Sequence, residues 1–597
     1  MNQFLSKLIY LTKGQHKSLV VMIFMFLFIS ILEVFGTGII GPFIAVATNP
    51  DLIKTNYWLS IVYRQFRFSS AQNFTFALGS IVIIAFYIKA FLSFNAQKFV
   101  FQFGYTLKGE LSAKLLKAYL AAPYSFHLRI NSATLIQNII VTTDNVCIGV
   151  VMPLLTSISN AAVILALTLL LIQASPMALV MIALLLPIVI WLIESLRSRL
   201  AFWSKEGWGA SAEMIRILNH GLGGLKETRV IGCESYFDQQ MIQQTKRYAK
   251  NLTLVQGYGN LPRFAIEAFM ITFIVGFTLL FLYLNQGQEQ NLTAILGIFA
   301  LASIRLLPAI SNLVGNINTF RANTFAIDKL FADLKEIETG QRIAITDISD
   351  RSKNLSSSAD RSPLLFRKEI VFDKITFQYP ESSTKSLDKI SLTIKKGESI
   401  GVIGKSGAGK TTLVDVLLGL FTPGSGDITV DGVSVYDNLR AWQNIIGYVP
   451  QSIFLIDDTL ERNIAFGVPD GLIDRHRLTK AIEMAQLSEV VAQLPNGIKT
   501  VVGERGLLLS GGQRQRVGIA RVLYHEREVL VFDEATAALD TETERLITEA
   551  TKALSGTKTI VIIAHRLSTI EHCDRIYQID GGQILRAGNY QEVVLGN

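Results

Sequence analysis

Cysteine is nearly absent. Three residues, Cys147, Cys233 and Cys573, stand far apart in a chain of 597, with neither pairing nor metal-ligand spacing. That argues against a disulfide scaffold or a thiolate metal centre, and fits reduced thiols in a chain facing the cytosol. Charge is scarce as well, at 17% against 50% hydrophobic residues, too apolar a balance for an ordinary soluble multidomain enzyme. The formal net charge of +8 is modest for this length and points to no nucleic-acid site; Lys and Arg in cytoplasmic loops account for it. No internal repeat occurs. Lys7, Lys13 and Lys17 precede the first apolar run, but no small-x-small cleavage site follows it. Residues 18–47 therefore read as a retained helix rather than a cleaved signal.

The apolar excess is concentrated before about residue 320, in uninterrupted runs long enough to cross a bilayer at roughly 20 residues each. Six spans fit, near 18–47, 74–98, 148–173, 177–195, 264–284 and 292–317. Segment 99–147 carries Lys108, Lys114, Lys117 and Arg129, and segment 196–263 is richer still in Lys and Arg, whereas "QAS" and "NQGQEQN" carry none. The basic segments and both chain ends are thus expected in the cytoplasm, with the 49–73 loop (Lys54, Arg64, Arg67) as a weak exception outside. The basic segments are helix-patterned, so the spans are expected to continue as rods, with tips near 123–132 and 221–232 that dock on a soluble domain. Intramembrane charges usually face a cavity or a partner. Arg263 and Glu267, four apart, are expected to form an ion pair; Lys89 and Arg305 either line an anionic substrate path or snorkel to an interface.

Residues 336–367 turn polar and serine-rich ("DISDRSKNLSSSADRSP") and read as a flexible linker between a membrane domain, 1–335, and a soluble domain, 368–597. In the latter, "SIGVIGKSGAGKTTLVDVLLGL" is a buried strand, a G-x-x-x-x-G-K-T loop at 404–411 and an apolar helix. That context makes the loop a phosphate cradle: Gly404, Lys405, Ser406, Gly407, Ala408 and Gly409 wrap the phosphates with backbone N–H groups. Lys410 reaches the β- and γ-oxygens, Thr411 holds Mg²⁺, and Thr412 beside it is expected to contact the nucleotide. "REVLVFDEATAALD" ends a buried strand on Asp533, suited to the Mg²⁺ shell, and Glu534, suited to positioning and deprotonating water. "KTIVIIAHRLS" delivers His565 at the end of another strand, where open α/β sheets place ligands. Gln451 follows a further strand and offers a water or Mg²⁺ contact.

In this order the motifs resemble those of ATP-binding-cassette exporters of the half-transporter type, across essentially the whole chain. The resemblance implies an all-α six-helix transmembrane domain of the type I exporter kind, followed by an α/β P-loop nucleotide-binding domain. It implies ATP and Mg²⁺ as ligands, with Gln451 as Q-loop, Asp533 and Glu534 as Walker B aspartate and catalytic glutamate, Asp540 as D-loop and His565 as switch histidine. Tyr379 sits where the family stacks adenine on an aromatic, and "TVVGERG" (500–506) resembles the exporter X-loop. "LSGGQ" at 509–513 matches the signature motif, through which Ser510, Gly511, Gly512 and Gln513 contact ATP held by another subunit. One cradle and one signature per chain imply a homodimer with two equivalent sites.

The membrane half is similar to bacterial flippases of lipid-linked oligosaccharides and to related polysaccharide and glycolipid exporters, through "ISILEVFGTGIIGPFIAVA", "LPRFAIE" and "RLLPA". The expected activity is ATP-driven, alternating-access export of such a lipid across a bacterial inner membrane, and Lys89 and Arg305 suit its anionic group. A lipid A, peptide or multidrug exporter is the alternative; a membrane protein that ATP merely switches is a remote one.

Overall fold

The computed structural model describes residues 2–12, 16–48, 50–51, 53, 57–174, 177–284, 289–352, 364–380, 382–534, 554–564 and 566–596, with positions 545, 549 and 552. The side chains of Glu33 and Arg305, and the whole of Asp540 and His565, lie outside the described residues. Two compact units form, Met1–Ala122 with Phe126–Gly340, and Pro123–Ser125 with Gln341–Asn597.

The first unit is helical among the described residues. Each expected span lies within one helical stretch: His16–Thr48, Ala71–Leu120, a run ending in Met152–Ala174, then Met177–Gly223, Glu234–Leu284 and Glu289–Ser352. Windows in Ala71–Leu120 and Ser132–Leu169 reach a mean hydropathy of 2.0, long and apolar enough to cross a membrane. Ser70 caps the second helix by accepting from the Asn73 N–H. The helices run well past their apolar stretches, and there the packing becomes mixed. Leu115, Val146, Val150, Ala326, Ile327 and Leu330 are fully enclosed. Around them Lys108 pairs with Asp144 at 2.6 Å, Lys7 with Asp328 at 2.7 Å and Arg129 with Glu336 at 2.9 Å. Asp333 accepts from the Tyr119 hydroxyl at 2.9 Å and from the Asn138 amide at 2.8 Å. Burial pushes the Asp333 carboxyl above its ordinary range. The third helix is interrupted by two π-helical turns, Asn138–Thr142 and Cys147–Val151. Between the fourth and fifth long helices lies the short helix Leu225–Ile231, closed by Gly232 at φ +73°, whose N–H bonds the Thr228 carbonyl.

Two expectations need correction. The connector expected from residue 336 is helical as far as Ser352, and residues 353–363 lie outside the described residues. Its first half is polar but contains no proline and only one glycine, and polarity alone is compatible with a solvated helix. Phe366, at the far end of the same segment, is 2% exposed and belongs to the core of the second unit. Arg263 and Glu267 are both exposed, and among the described residues no ion pair joins them. Spacing of four allows such a pair without requiring it, and exposed long side chains lose entropy on pairing.

The second unit holds two sheets: a four-stranded one of β2 (Leu387–Lys395), β1 (Glu369–Phe377), β4 (Ser425–Val430) and β5 (Val433–Ser434) in that order, and a six-stranded one in the order β10 (Gln583–Gly588), β9, β3, β8, β7, β6. The strands that matter are β3 (Ser399–Ile403), β6 (Ile446–Val449), β7 (Val529–Asp533), β8 (Thr559–Ile563) and β9 (Arg575–Asp580). From β9 to β6 neighbours pair in parallel, so the carboxyl ends of β3, β8, β7 and β6 share one edge. β7 and β8 are buried at every position, as a sheet covered on both faces requires. The cysteines are unpaired: Cys147 and Cys573 are buried, Cys233 half-buried.

Candidate nucleotide site

β3 ends at Ile403, residues 404–409 turn sharply, and the helix Lys410–Leu417 follows. Gly409 stands at φ +104°, and a Cβ there would come within 2.6 Å of the Ser386 carbonyl oxygen, so glycine alone fits. Lys410 is buried, and its ammonium donates to the carbonyls of Gly404 at 2.8 Å and Lys405 at 3.1 Å. The loop thus holds its own cation at the base of a cleft of about 510 Å³. Ser406, Gly407, Gly409, Lys410, Thr411, Thr412 and Glu534 line it, together with residues 384–386 and 581–582, which the motifs did not indicate. Ala408 is buried behind the loop, its carbonyl accepting from the Gly582 N–H at 3.1 Å.

The carboxyl ends of β6 and β7 bring in the acidic and amide groups. Asp533 is 7% exposed, and the Tyr448 hydroxyl donates to its Oδ2 at 3.1 Å. Burial and the adjacent Asp533 push the Asp415 carboxyl up to about 6. Burial and the same aspartate raise the Tyr448 phenol, keeping it a donor. Glu534 sits at φ +50°, a left-handed conformation unusual for a side-chain-bearing residue and typical of constrained functional positions. Its carboxylate accepts from Gln451 Nε2 at 2.7 Å, and the Gln451 carbonyl in turn accepts from Gln515 Nε2 at 2.6 Å. Tyr379 approaches Thr412, hydroxyl to hydroxyl at 3.2 Å, with its ring edge-on to Phe377 and Phe421.

The 509–513 motif lies at the start of the helix Gly511–Tyr524. Ser510 Oγ accepts from the Gln513 N–H at 3.2 Å, while Gln513 Oε1 accepts from the Ser510 N–H at 2.8 Å. This reciprocal capping box occupies both side chains with the helix end itself, so the donors left to an anion come from the first-turn backbone at Gly511 and Gly512. Among the described residues, none of 509–513 lines the cleft beside Lys410.

Residues 387–537 match the family described as ABC transporter, and residues 17–306 the one described as ABC transporter transmembrane region. An ATP-dependent lipid A-core flippase of Ralstonia nicotianae is 31% identical over 490 residues, covering 81% of this chain and 79% of its own. The chain belongs to the ABC transporter family. A lipid A-core flippase of Burkholderia orbicola is 32% identical over 417 residues, 69% and 66% of the two chains. A bacterial Atm1-family ABC exporter, solved with ATP bound, matches with a TM-score of 0.76 at 22% identity, covering 98% of this chain and 96% of that one. That likeness gives the ABC transporter its type I exporter fold, helices first and sheet-bearing ATP domain second. It is an exporter that binds ATP and hydrolyses it to drive transport.

The donors around the cleft have a definite chemistry. Thr411 offers a hydroxyl and Asp533 a buried carboxylate, with Asp415 crowding it; hard oxygens and excess negative charge suit Mg²⁺ better than a softer metal. Tyr448, Asp415 and Lys385 were missed because none belongs to a short motif. The capping box was legible as S-x-x-Q at 510–513.

Proposed function

We propose that this ABC transporter works as a homodimer that flips a phosphate-bearing, lipid-anchored saccharide outward across a bacterial inner membrane. Its termini and ATP domain lie in the cytoplasm. The observation that carries the catalytic part is the cleft itself, where Lys410, Thr411 and Glu534 converge on one volume beside the carboxyl end of β7. Lys410 binds the β- and γ-phosphate oxygens, Thr411, Asp533 and Gln451 take the magnesium side, and Glu534 positions and deprotonates the attacking water. Tyr379 stacks the adenine, and His565 and Asp540 complete the site.

Dimerisation is supported by the separation of 509–513 from the cleft of its own chain. The first-turn N–H groups at Gly511 and Gly512 serve ATP held by the partner's Lys410, as helix N-termini serve anions generally. A mixed dimer tests this. With Ser510→Arg on one chain and Lys410→Ala on the other, only one composite site is damaged, so activity should exceed that of either mutant homodimer; no excess refutes the shared site.

The saccharide-lipid assignment is supported by relatives named lipid A-core flippases. Lys89, half-buried with its ammonium 5.5 Å from the Phe86 ring, and Arg305 are the cations for the anionic group. Lipid A-core and pyrophosphate-linked oligosaccharides both satisfy this chemistry. ATPase stimulation of the purified transporter in lipid, by a panel of both lipids, peptides and drugs, decides. Stimulation by peptides or drugs alone overturns the assignment, and a Glu534→Gln protein retaining full cellular function would favour an ATP switch.

A further inference from the structure

Tyr448 is not part of any motif, yet it is the residue of β6 whose side chain hydrogen-bonds Asp533. β6 and β7 pair in parallel with Tyr448 opposite Val531 and Val449 opposite Phe532. Residues two apart share a strand face, so Asp533 lies on the same face as Val531 and therefore as Tyr448. A side chain leaning along the strand spans that diagonal, and the Tyr448 Oη meets Asp533 Oδ2 at 3.1 Å. In β6 the neighbours Ile446, Gly447 and Val449 are buried, whereas Tyr448 alone is exposed. A phenylalanine would serve any packing role there; the hydroxyl adds one donor, aimed at one carboxylate oxygen.

Lys410, the buried cation of the phosphate cradle, directs its ammonium to the Gly404 and Lys405 carbonyls. Asp415 adds a second carboxylate close to Asp533. A buried carboxylate crowded by another needs a donor to hold one orientation.

We infer that Tyr448 is a positioning residue for the metal-side carboxylate: its hydroxyl fixes Asp533 Oδ2, hence the carboxylate plane, and so holds the group in the orientation in which it would help to bind a divalent cation. The inference rests on the reading of Asp533 as the magnesium-side ligand. Outer partners of this kind typically change metal affinity by about 10- to 100-fold when lost. Tyr448 touches neither nucleotide nor metal in this scheme and acts through Asp533 alone.

The test uses full-length transporter in lipid, with Mn²⁺ as the probe for the cation and a non-hydrolysable ATP analogue. Tyr448→Phe and Asp533→Asn are compared by electron paramagnetic resonance titration of Mn²⁺, by nucleotide affinity in EDTA, and by the split between kcat and the apparent KM for Mg²⁺. The expected result for Tyr448→Phe is Mn²⁺ affinity weaker by about 10-fold, a raised KM for Mg²⁺, a largely recovered kcat at saturating Mg²⁺, and unchanged nucleotide affinity in EDTA. Tyr448→His, which restores a donor, should recover part of the Mn²⁺ affinity. If Asp533→Asn weakens Mn²⁺ binding but Tyr448→Phe leaves it unchanged or tighter, the inference is overturned while the reading of Asp533 stands. If neither variant weakens it, that reading falls and the inference with it. Loss of metal-free nucleotide binding in both Tyr448 variants would mark a structural residue and also overturn the inference.

Discussion

The two units place their polar groups by different means. In the ATP unit the chemistry is positioned by backbone: strand ends and a glycine turn bring Lys410, Asp533, Glu534 and Gln451 to one edge of a sheet. In the membrane unit it is positioned by side-chain packing between long helices, as where Tyr119, Asn138 and Asp333 meet from three separate segments. Backbone-built sites need particular residues at fixed local spacing, whereas helix-built ones need only compatible surfaces. The first kind leaves short motifs in a sequence, and the second leaves little beyond hydropathy.

That contrast can be broken by experiment. Its largest expected consequence is at Glu534: Glu534→Gln should lower ATP turnover about a hundredfold or more, measured as phosphate release in lipid, without moving the thermal unfolding of the transporter. A comparable loss from Lys89→Gln would show that the membrane unit also carries local catalytic weight. Next is Tyr119→Phe, which removes a donor from half-buried Asp333 and should cost about 1–2 kcal/mol of stability. Thermal unfolding should report it while nucleotide affinity stays constant; a changed affinity would mean that the helical cluster is coupled to the cleft.

Ser510→Ala removes the cap of the Gly511–Tyr524 helix and should cost about 1 kcal/mol, seen in nucleotide-free protein. Unchanged nucleotide-free stability would mean that the motif is built for its ligand alone. A subtler effect is expected at Asp415, whose carboxyl is held up to about 6. Stability contributed by its protonated form is complete below about pH 4, the ordinary aspartate value, and is lost as pH rises through about 6. The thermal advantage of Asp415→Asn over the parent, in EDTA, should therefore grow between pH 5 and pH 8. An advantage independent of pH would assign it to packing. Smallest is Arg263→Gln, within about 0.5 kcal/mol, because no ion pair involves this exposed residue among those described. A larger shift in unfolding temperature would reinstate the pair with Glu267.

Much of this was readable beforehand, for reasons the contrast explains. The six helical stretches follow from apolar length, because a bilayer demands it of each span separately. The cradle at 404–411 was readable because Gly409 is forced by the nearby Ser386 carbonyl. Tyr448 and Asp415 were not, since their proximity to Asp533 depends on the register between β6 and β7 and on a helix packed beneath. The connector was misread because a solvated helix and a loop share a polar composition. Arg263 and Glu267 were misread because spacing permits contact without enforcing it.

The two π-helical turns in the third helix change which of its residues share a face. Each behaves as a one-residue insertion into an α-helix, and one residue corresponds to about 100° of rotation. A helical wheel drawn straight through residues 132–174 would therefore assign facing positions wrongly on one side of each turn. The half of this helix that packs with Asp333 and the half that continues into the apolar stretch are angularly decoupled. Deleting one residue from either turn would twist one half against the other while leaving composition and hydropathy almost untouched.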